Sequence, residues 1–363
     1  MRIAVVTPRF ALTGVPLAQI RFARALARRG HSVKVIVGFV DPAYELPKPA
    51  DIEIEVWGLP KVRSMLLPLV HYLRTEKPDV VFSAEDHLNT VTLIAALVSR
   101  TKAKISGSSR VTPFDTYSNT LFTKRWILKQ LTRLMMRRAD SLTCVSKDMV
   151  GQYKRIFRNP PHVCVYNIVD DANSRARMHE LVEHPWLADK SIPVLIAAGR
   201  LAPWKGFGDL IEAVALLSQS RPARLLILGD GPQRQDLQRL IEARGVRDCV
   251  ELVGYVENPL KYFSRADVFV LSSLLEGLPN VLVEAMMCGC TPVATDCPTG
   301  PREVLQDGKY GYLVPVRDPA AMAAAIAKAL DEPIPAELLA EAVTPFEEQR
   351  IIDEHFRLLG LPQ

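Results

Sequence analysis

The segment Glu276-Gly-Leu-Pro-Asn-Val-Leu-Val-Glu284 places two carboxylates eight residues apart, on either side of a turn that opens a short apolar helix. Glu276 follows an apolar, strand-like run. Because Pro279 is tolerated in the first turn of a helix, Glu284 is expected about one turn inside it. In a parallel α/β sheet such a turn lies at the carboxyl edge. The first amides of the helix attract anions, so the segment predicts a site that binds hydroxyl groups beside phosphate.

Short apolar runs rich in β-branched residues alternate with amphipathic stretches along the whole chain. The runs predict strands at Ile3–Thr7, Ser32–Val37, Ile52–Val56, Val80–Phe82, Ala103–Ser106, Ser141–Val145, Val163–Tyr166, Val194–Ala198, Arg224–Leu228, Val250–Val253, Val268–Leu271, Thr291–Ala294 and Tyr312–Val314. The stretches between them predict helices that include Val15–Arg29, Thr90–Ser99, Thr120–Arg138, Gly208–Leu217, Gln233–Arg244, Val281–Cys288 and Pro319–Leu330. This alternation indicates an α/β fold whose parallel sheets are covered by helices on both faces.

The length of 363 residues suits two domains of ordinary size. The segment Asp170–Ser191 is polar, charged and without a hydrophobic period, and we place the domain boundary there. The prediction is one α/β domain over residues 1–170 and a second over residues 171–345. A tail of about residues 346–363 follows a proline-rich break and predicts a helix that returns to pack on the first domain.

The composition excludes several classes of protein. A hydrophobic share of 48% and a charged share of 23% are typical of a globular protein, and no apolar run reaches the ~18 residues that span a bilayer. The chain begins Met1-Arg-Ile-Ala-Val-Val-Thr7, which predicts a first strand and no signal peptide. The six cysteines show no metal-ligand or redox spacing, so we expect free thiols in a reducing cytoplasm and no metal site.

The net charge of +5 hides an asymmetry between the two halves of the chain. Residues 1–185 contain 28 Lys and Arg against 16 Asp and Glu, a charge of +12, and the remainder carries −7. A basic half indicates an anionic partner, such as a membrane surface, a phosphorylated acceptor or a nucleic acid.

The segment Thr120–Arg138 carries much of that basic charge. Six Lys and Arg residues share it with apolar residues, among them Ile127, Leu131 and Leu134, and it contains no acid. A basic amphipathic helix can lie on anionic lipid, and it can equally be a core helix with a solvated face. The charge of the first half favours peripheral contact with an anionic membrane or with a pyrophosphate-linked acceptor.

Loops that follow the strands of the second half carry the candidate chemistry. Gly199 and Arg200 follow one strand, and Lys205 comes just before the next helix. A guanidinium and an ammonium at one sheet edge can neutralise a diphosphate without a metal ion. Together with the acidic pair Glu276 and Glu284 they suit a nucleotide sugar, because its phosphates and hydroxyl groups need both kinds of partner.

Further turns follow strands in the same half. Gly229 and Gly231 allow a tight turn, either as a plain strand–helix connection or in contact with a ligand. Tyr255 and Val256 follow another strand, where they either support a base or belong to the core. Thr299 is expected to cap the helix after it. The chain contains no Gly-x-Gly-x-x-Gly fingerprint in these turns or at its start, which counts against an NAD enzyme.

Taken in order, these loops resemble those of the retaining glycosyltransferases of family 4. The matching stretches are Gly-Arg…Lys-Gly at 199–206, Leu-Gly-Asp-Gly-Pro at 228–232, Gly-Tyr-Val at 254–256, Glu-Gly-Leu-Pro-Asn…Glu-Ala at 276–285 and Asp-Cys-Pro-Thr-Gly-Pro-Arg-Glu at 296–303. The resemblance is close over residues 195–330 and loose over the first domain. It implies a GT-B fold, in which two Rossmann-like, doubly wound parallel-sheet domains face a central cleft. The first would bind the acceptor and the second the nucleotide sugar.

The resemblance also implies roles for individual residues. Arg200 and Lys205 would hold the diphosphate, and Glu284 would bind the ribose hydroxyl groups. Glu276 would hold the sugar ring near the reacting carbon, so we expect Glu276, Arg200 and Lys205 to be catalytic. Further donor contacts would come from Gly14, Gly199, Gly229, Gly231, Tyr255, Val256, Gly277, Leu278, Pro279 and Asn280.

The first domain matches the family less completely. The paired glycines usual in its first loop stand here as Gly14-Val15-Pro16, and a histidine usual after a middle strand is missing. The equivalent stretch is Ile105-Ser-Gly-Ser-Ser-Arg110, and we place Arg110 in that region of the cleft. His87 follows another strand nearby and is either structural or a second acceptor-side residue.

The resulting expectation is a retaining, metal-independent glycosyltransferase. It would move a hexose or an N-acetylhexosamine from a UDP-sugar to a lipid-linked glycan in polysaccharide or glycoconjugate biosynthesis. It would work in the cytoplasm or on the inner face of the plasma membrane, with no cofactor besides the donor. Two alternatives stay open: a nucleotide-sugar epimerase on the same fold, and a basic nucleic-acid-binding protein that uses residues 100–158. The second lacks a recognisable nucleic-acid module.

Overall fold

The computed structural model describes residues 1–11, 14–47 and 49–362. Its strands are β1 (Arg2–Phe10), β2 (Ser32–Val40), β3 (Glu53–Val56), β4 (Val80–Ala84), β5 (Lys104–Ser109), β6 (Ser141–Cys144), β7 (His162–Cys164), β8 (Val194–Ala198), β9 (Arg224–Leu228), β10 (Val250–Gly254), β11 (Val268–Leu271), β12 (Thr291–Thr295) and β13 (Tyr312–Val314). Its α-helices are α1 (Gly14–Arg28), α2 (Leu66–Thr75), α3 (Asp86–Ser99), α4 (Pro113–Thr116), α5 (Lys124–Met135), α6 (Lys147–Ile156), α7 (Ala172–Arg177), α8 (Pro185–Ala188), α9 (Phe207–Leu217), α10 (Arg234–Arg244), α11 (Leu260–Phe263), α12 (Asn280–Met287), α13 (Pro301–Val304), α14 (Pro319–Asp331), α15 (Ala336–Val343) and α16 (Glu348–Leu359).

The first compact unit comprises Met1–Ile168 and the C-terminal segment from Glu348 onward. Its seven strands form one parallel sheet in the order β3-β2-β1-β4-β5-β6-β7. The strand order reverses between β1 and β4. The carboxyl ends of these two strands therefore form the topological switch point, where α/β sheets bind ligands.

Helices cover both faces of this first sheet because successive residues of a strand point to opposite sides. Val5 of β1 belongs to one buried core with Leu26 of α1 and Phe356 of α16. Its neighbour Val6 belongs to a second core with Leu69 of α2. The first unit is thus doubly wound, and the C-terminal helix α16 packs on it.

The second compact unit comprises Val169–Glu347. Its six strands form a parallel sheet in the order β10-β9-β8-β11-β12-β13, so its switch point lies between β8 and β11. Leu195 of β8 shares a buried core with Ile211 of α9 and Ile326 of α14. The division between the units falls two residues before the predicted boundary at residue 170, and the polar segment after it contains α7 and α8. None of the helices in the described ranges is long and apolar enough to cross a bilayer.

Candidate active site

The loops that follow β8 and β11 meet at the switch point of the second unit, and their charged residues form an ion pair. Lys205 Nζ lies 2.5 Å from Glu276 Oε1. Both side chains are largely buried, with 18% and 10% of their surface exposed. An ion pair shielded in this way is screened by salt much less than a surface pair. The residue predicted to bind the diphosphate and the residue predicted to hold the sugar are therefore direct neighbours.

Hydroxyl groups from its own loop and from the loop after β12 hold Glu276 in place. Ser273 Oγ donates to Glu276 Oε1 at 2.6 Å, and the Thr299 hydroxyl donates to the Glu276 carbonyl oxygen. Thr295 Oγ1 in turn donates to the Ser273 carbonyl at 2.5 Å. The prediction that Thr299 caps α13 is wrong, because Gly300 occupies the cap position and Thr299 bonds to Glu276 instead. The sequence patterns gave no role to Ser273 or Thr295; the Thr295 contact joins the end of β12 to the loop after the neighbouring β11, which no local pattern reveals.

The turn that carries Lys205 is joined to the loop after β11 through its backbone. Ser272 Oγ donates to the Lys205 carbonyl at 2.8 Å, and the Leu274 N–H donates to the Trp204 carbonyl at 2.8 Å. Gly206 has a φ of +64°, and a Cβ atom there would lie 2.1 Å from the Ser272 carbonyl oxygen. Only glycine permits so close an approach. Lys205 therefore extends from a constrained turn.

Arg200 supplies a second positive charge at this sheet edge. It follows β8 closely, and its side chain is exposed. In the described part of the chain, no oxygen accepts a hydrogen bond from its guanidinium. Because a guanidinium can donate two parallel hydrogen bonds, Arg200 is available to bind a phosphate or carboxylate group.

The glycines after β9 are required by backbone packing. A Cβ atom at Gly229 would lie 2.0 Å from the Gly199 carbonyl oxygen, and one at Gly231 would lie 2.5 Å from that of Leu201. The loops after β8 and β9 therefore touch backbone to backbone, and a side chain at either glycine would separate them. This packing explains the residue type at both positions, while their contact with a donor stays a prediction.

The start of α12 lies between the two predicted carboxylates. The helix begins at Asn280, with Pro279 at the cap position, and no side chain caps it. Gly277 and Leu278 form the preceding turn, and Glu284 stands half-buried one turn inside the helix. The first amides of α12 carry the partial positive charge of the helix dipole, which favours an anion at this edge.

Tyr255 and Val256 follow β10 on the same edge of the sheet. The Tyr255 side chain is 56% exposed, which excludes the interpretation that it is a core tyrosine. Val256 lines a polar pocket together with Arg177, Asn258 and Tyr262. An exposed aromatic ring next to a polar pocket offers both stacking and hydrogen bonding to a planar ligand.

Metal-ligand clusters and disulfides do not contribute to this site. No group of three or more His, Cys, Asp or Glu residues suited to a metal ion occurs within residues 1–11, 14–47 and 49–362. All six cysteines are free thiols.

In the first unit, Arg110 and His87 lie at the carboxyl edge of the sheet. The Arg110 guanidinium donates to Asn167 Oδ1, and its burial lowers its pKa to about 10, an effect that the nearby Glu85 carboxylate opposes. His87 is exposed in the first turn of α3. Gly14 is the first residue of α1. The structure thus places Arg110 as a fixed cation and His87 as a surface imidazole.

Two acids beside His87 belong to the same edge and escape the sequence patterns. Asp86 is buried, and its carboxylate accepts hydrogen bonds from Ser109 Oγ at 2.6 Å and from the Tyr153 hydroxyl. Burial raises the pKa of Asp86 in spite of these donors. Glu85 has an unusual backbone conformation, with φ 78° and ψ 136°. The available signal was a pair of consecutive acids shortly after the predicted strand Val80–Phe82, where α/β proteins place ligand contacts.

Helix α5 lies on the surface of the first unit and exposes an apolar ridge. This α5 ridge consists of Ile127, Leu131 and Leu134, which are 55%, 37% and 58% exposed. The helix buries Thr132 and Met135 on its other side. The ridge residues recur every three to four positions and so lie along one line of the helix. Their exposure excludes the interpretation that the apolar face of this segment is all core.

Comparison with known proteins now identifies the family. The family described as Glycosyl transferases group 1 matches residues 192–332, and that described as Glycosyltransferase Family 4 matches residues 14–173. An uncharacterized glycosyltransferase of Methanocaldococcus jannaschii is 30% identical over 277 residues, which cover 70% of this chain and 67% of that protein. The chain belongs to the group 1 and family 4 glycosyltransferases.

Other relatives of this glycosyltransferase assemble glycans or share its fold. A Campylobacter jejuni protein, N-acetylgalactosamine-N,N'-diacetylbacillosaminyl-diphospho-undecaprenol 4-alpha-N-acetylgalactosaminyltransferase, is 31% identical over 240 residues, or 66% of this chain and 63% of that one. The chain thus spans about two thirds of the length of these two relatives. Anabaena HepE, solved in complex with UDP, superposes with a TM-score of 0.79 at 20% identity, over 99% of this chain and 100% of that one. Its likeness shows that the glycosyltransferase has the GT-B fold.

Proposed function

We propose that this glycosyltransferase transfers a hexose or an N-acetylhexosamine from a UDP-sugar to a lipid-linked glycan, with retention of configuration and without a metal ion. The observation that carries the proposal is the Lys205–Glu276 pair at the switch point of the second unit. In this pair, the ammonium group that would bind the diphosphate lies at hydrogen-bond distance from the carboxylate that would bind the sugar hydroxyl groups.

The positive charges of this site support a reaction driven by the leaving group. As the sugar–phosphate bond breaks, positive charge develops at the anomeric carbon and negative charge on the departing diphosphate. Lys205, held by Glu276, and the first amides of α12 are fixed in place before the reaction, so they stabilise that negative charge without reorganising, and the exposed Arg200 adds a second positive charge. Fixed cations of this kind supply the charge neutralisation that a divalent ion supplies elsewhere.

The surroundings of Glu276 support retention through attack on one face of the sugar. Its Oε1 atom already accepts hydrogen bonds from Lys205 and Ser273, which weakens it as a nucleophile. In the proposed step, the bond from the anomeric carbon to the phosphate oxygen breaks while the acceptor oxygen bonds to that carbon on the same face. The proton of the acceptor hydroxyl passes to the departing phosphate oxygen, so no protein base is needed.

The edge around β10 and α12 supports a nucleotide donor. The exposed Tyr255 ring and the pocket beside Val256 suit a base, and Glu284 suits the two hydroxyl groups of a ribose. Anabaena HepE, which shares the fold, was solved with UDP and with UDP-glucose. UDP is therefore the nucleotide that we propose.

The α5 ridge supports an acceptor that is held at a membrane. The apolar side chains of the ridge would bury surface at the headgroup boundary, and the exposed Lys124 and Arg133 beside them would attract anionic headgroups. The Campylobacter jejuni relative is named for a diphospho-undecaprenol acceptor. We therefore propose that the enzyme works at the inner face of the plasma membrane. The free thiols of all six cysteines fit the reducing compartment on that side.

A thermal-shift panel of nucleotides and nucleotide sugars, recorded in EDTA, tests the donor class. A ligand present at 100 times its Kd stabilises the folded state by about 2.7 kcal/mol. UDP and one or more UDP-sugars should therefore raise Tm by several degrees, and GDP and ADP should raise it less. Equal shifts with all three diphosphates, or no shift, would contradict the proposed donor.

A transfer assay with the selected donor separates transfer from epimerisation. A transferase lengthens a lipid-linked acceptor and releases UDP, whereas an epimerase yields the altered sugar without an acceptor. Arg200→Ala and Lys205→Ala should each lower turnover at least ~10²-fold, the scale of losing a transition-state donor. Lys309→Ala, which removes an exposed ion pair with Glu341, is the matched control and should keep normal turnover. Near-normal rates in both site variants would overturn the assignment.

A further inference from the structure

Glu85, the residue that joins β4 to α3, has a backbone conformation that is unfavourable for any residue with a side chain. Glu85 has φ 78° and ψ 136°, a region that residues other than glycine rarely enter. The other described non-glycine residues with positive φ, among them Lys77 and Arg100, have φ between 44° and 60°. They fall near the ordinary left-handed region, which costs less. Glu85 therefore stands apart as a strained residue.

Hydrogen bonds on both sides impose this conformation on Glu85. Its N–H donates to the Ser108 carbonyl at 2.9 Å, and its own carbonyl accepts from the Asn89 N–H at 2.8 Å. The first bond extends the pairing of β4 with β5, and the second belongs to the first turn of α3. Glycine would satisfy both bonds without strain. The reason for a glutamate must therefore lie in its carboxylate.

The Glu85 carboxylate is half-buried but receives no hydrogen bond from the described residues. Although Glu85 stands at the cap position of α3, its side chain does not cap that helix. Burial and the charge of Asp86 raise the pKa of Glu85, while the Arg110 guanidinium lowers it. Asp86 differs, because Ser109 and Tyr153 donate to it. A carboxylate that is partly shielded from water and accepts no hydrogen bond from the protein gains stability when a ligand's hydroxyl group donates to it.

The position of Glu85 in the sheet points to the same use. It directly follows β4, the strand that pairs with β1, at the switch point of the first unit, where α/β sheets bind ligands. The Arg110 guanidinium is near enough to influence its charge, and Asn167 holds that guanidinium in place. Strain, an unsatisfied carboxylate and a ligand-binding edge thus coincide in one residue.

We propose that Glu85 is an acceptor-binding residue whose carboxylate accepts a hydrogen bond from a sugar hydroxyl of the acceptor. The inference rests on the proposed function, because it takes the acceptor to be a carbohydrate. Arg110 supports the ionised form of the carboxylate. An acceptor that lacks the hydroxyl group leaves the half-buried carboxylate without a donor and is rejected. Glu85 therefore selects among acceptors and plays no part in binding UDP.

Calorimetric binding to the full chain tests the inference. The probes are an N-acetylglucosaminyl diphosphate on a short prenyl chain, an N-acetylgalactosaminyl counterpart and the monodeoxy analogues of both. Glu85→Gln and Glu85→Gly should weaken binding of one parent probe by about 10- to 100-fold, the scale of a hydrogen bond to a charged group. The Kd for UDP should stay within about twofold. For one monodeoxy analogue, the Kd for the wild type should equal the Kd of its parent probe for the Glu85 variants. The Kd of that analogue should be the same for the variants as for the wild type.

Thermal stability separates this role from a structural one. Glu85→Gly removes the backbone strain, so its Tm should equal or exceed that of the wild type. Lys77→Gly is the matched control, because it relieves another positive φ at an exposed position and should leave probe binding unchanged. A lower Tm for Glu85→Gly, unchanged probe binding in both variants, or no binding of any probe by the wild type would overturn the inference. Failure of the wild type to bind UDP would instead count against the proposed function.

Discussion

The ion pair between Lys205 and Glu276 predicts that these residues contribute to catalysis as a unit. The test is a cycle of Lys205→Ala, Glu276→Gln and the double variant. Each single change removes one member of a contact at 2.5 Å between side chains that are only 18% and 10% exposed. The charge that is left then lies in a shielded position without an oppositely charged partner, so each single change also weakens the positioning of the remaining group.

The magnitudes follow from that geometry. Loss of one preorganised transition-state donor lowers kcat by about 10²- to 10³-fold. Two residues in contact usually couple by about 0.5–3 kcal/mol, which is up to a factor of roughly 100 in rate. If each single change costs ~10²-fold, the double variant should be slowed ~10²- to 10³-fold, and not by the ~10⁴-fold product. Ser273 still donates to Glu276 Oε1 in Lys205→Ala, which limits the loss in that variant.

Single-turnover transfer at saturating donor is the appropriate assay, because it isolates the chemical step from product release. The exposed pair Lys309–Glu341 provides a matched control, since its side chains are 46% and 55% exposed. Its double alanine variant should keep the wild-type rate within about twofold, because exposed pairs contribute little. A double variant of the site slowed by the full product of the single effects would refute the idea that the pair acts as one unit.

Three further predictions concern the membrane surface, the packing of the site and the buried acid. Ile127→Glu combined with Leu131→Glu should abolish flotation with anionic vesicles at low salt, because it places charge on the α5 ridge; unchanged flotation would remove the ridge from the account. Gly229→Ala should lower the free energy of unfolding by about 2 kcal/mol or more in a urea titration, since its Cβ atom would lie 2.0 Å from a carbonyl oxygen; an unchanged midpoint would contradict the packing argument. The raised pKa of Asp86 means that the folded state binds its proton more tightly than the unfolded chain. The free energy of unfolding should therefore fall as pH rises from about 4, and the wild type should show a steeper fall than Asp86→Asn. Equal slopes in the two proteins would show that Asp86 titrates normally.

The strands were the most predictable part of the fold. Every predicted strand overlaps an observed one, because parallel strands buried on both faces give short apolar runs that turn signals delimit. Some helices were not predicted. Ser146 caps α6 by accepting from the Met149 N–H, but this local signal is weak beside the polar sequence of the helix. In α15 the helix starts directly after Pro335, so a proline that breaks one pattern opens the next.

The candidate site could be predicted residue by residue, but not as a set of contacts. Loop order indicated Lys205 and Glu276, yet they are 71 positions apart, and only the pairing of β8 with β11 brings them together. The strain at Glu85 depends on bonds to Ser108 and Asn89, so no local pattern reveals it. For α5 the composition fits a core helix and a membrane helix equally well. The exposure of Ile127 excludes a fully buried apolar face, and exposure is a property of the packed chain; contact with a membrane stays a prediction.

A crystal structure of the enzyme with a non-hydrolysable UDP-sugar would show whether Arg200, Lys205 and Glu276 bind the donor. We predict diphosphate oxygens within about 3 Å of both the Arg200 guanidinium and Lys205 Nζ, with Glu276 accepting a hydrogen bond from a sugar hydroxyl. A nucleotide bound away from these side chains, with the Lys205–Glu276 pair undisturbed and facing no ligand, would contradict this prediction.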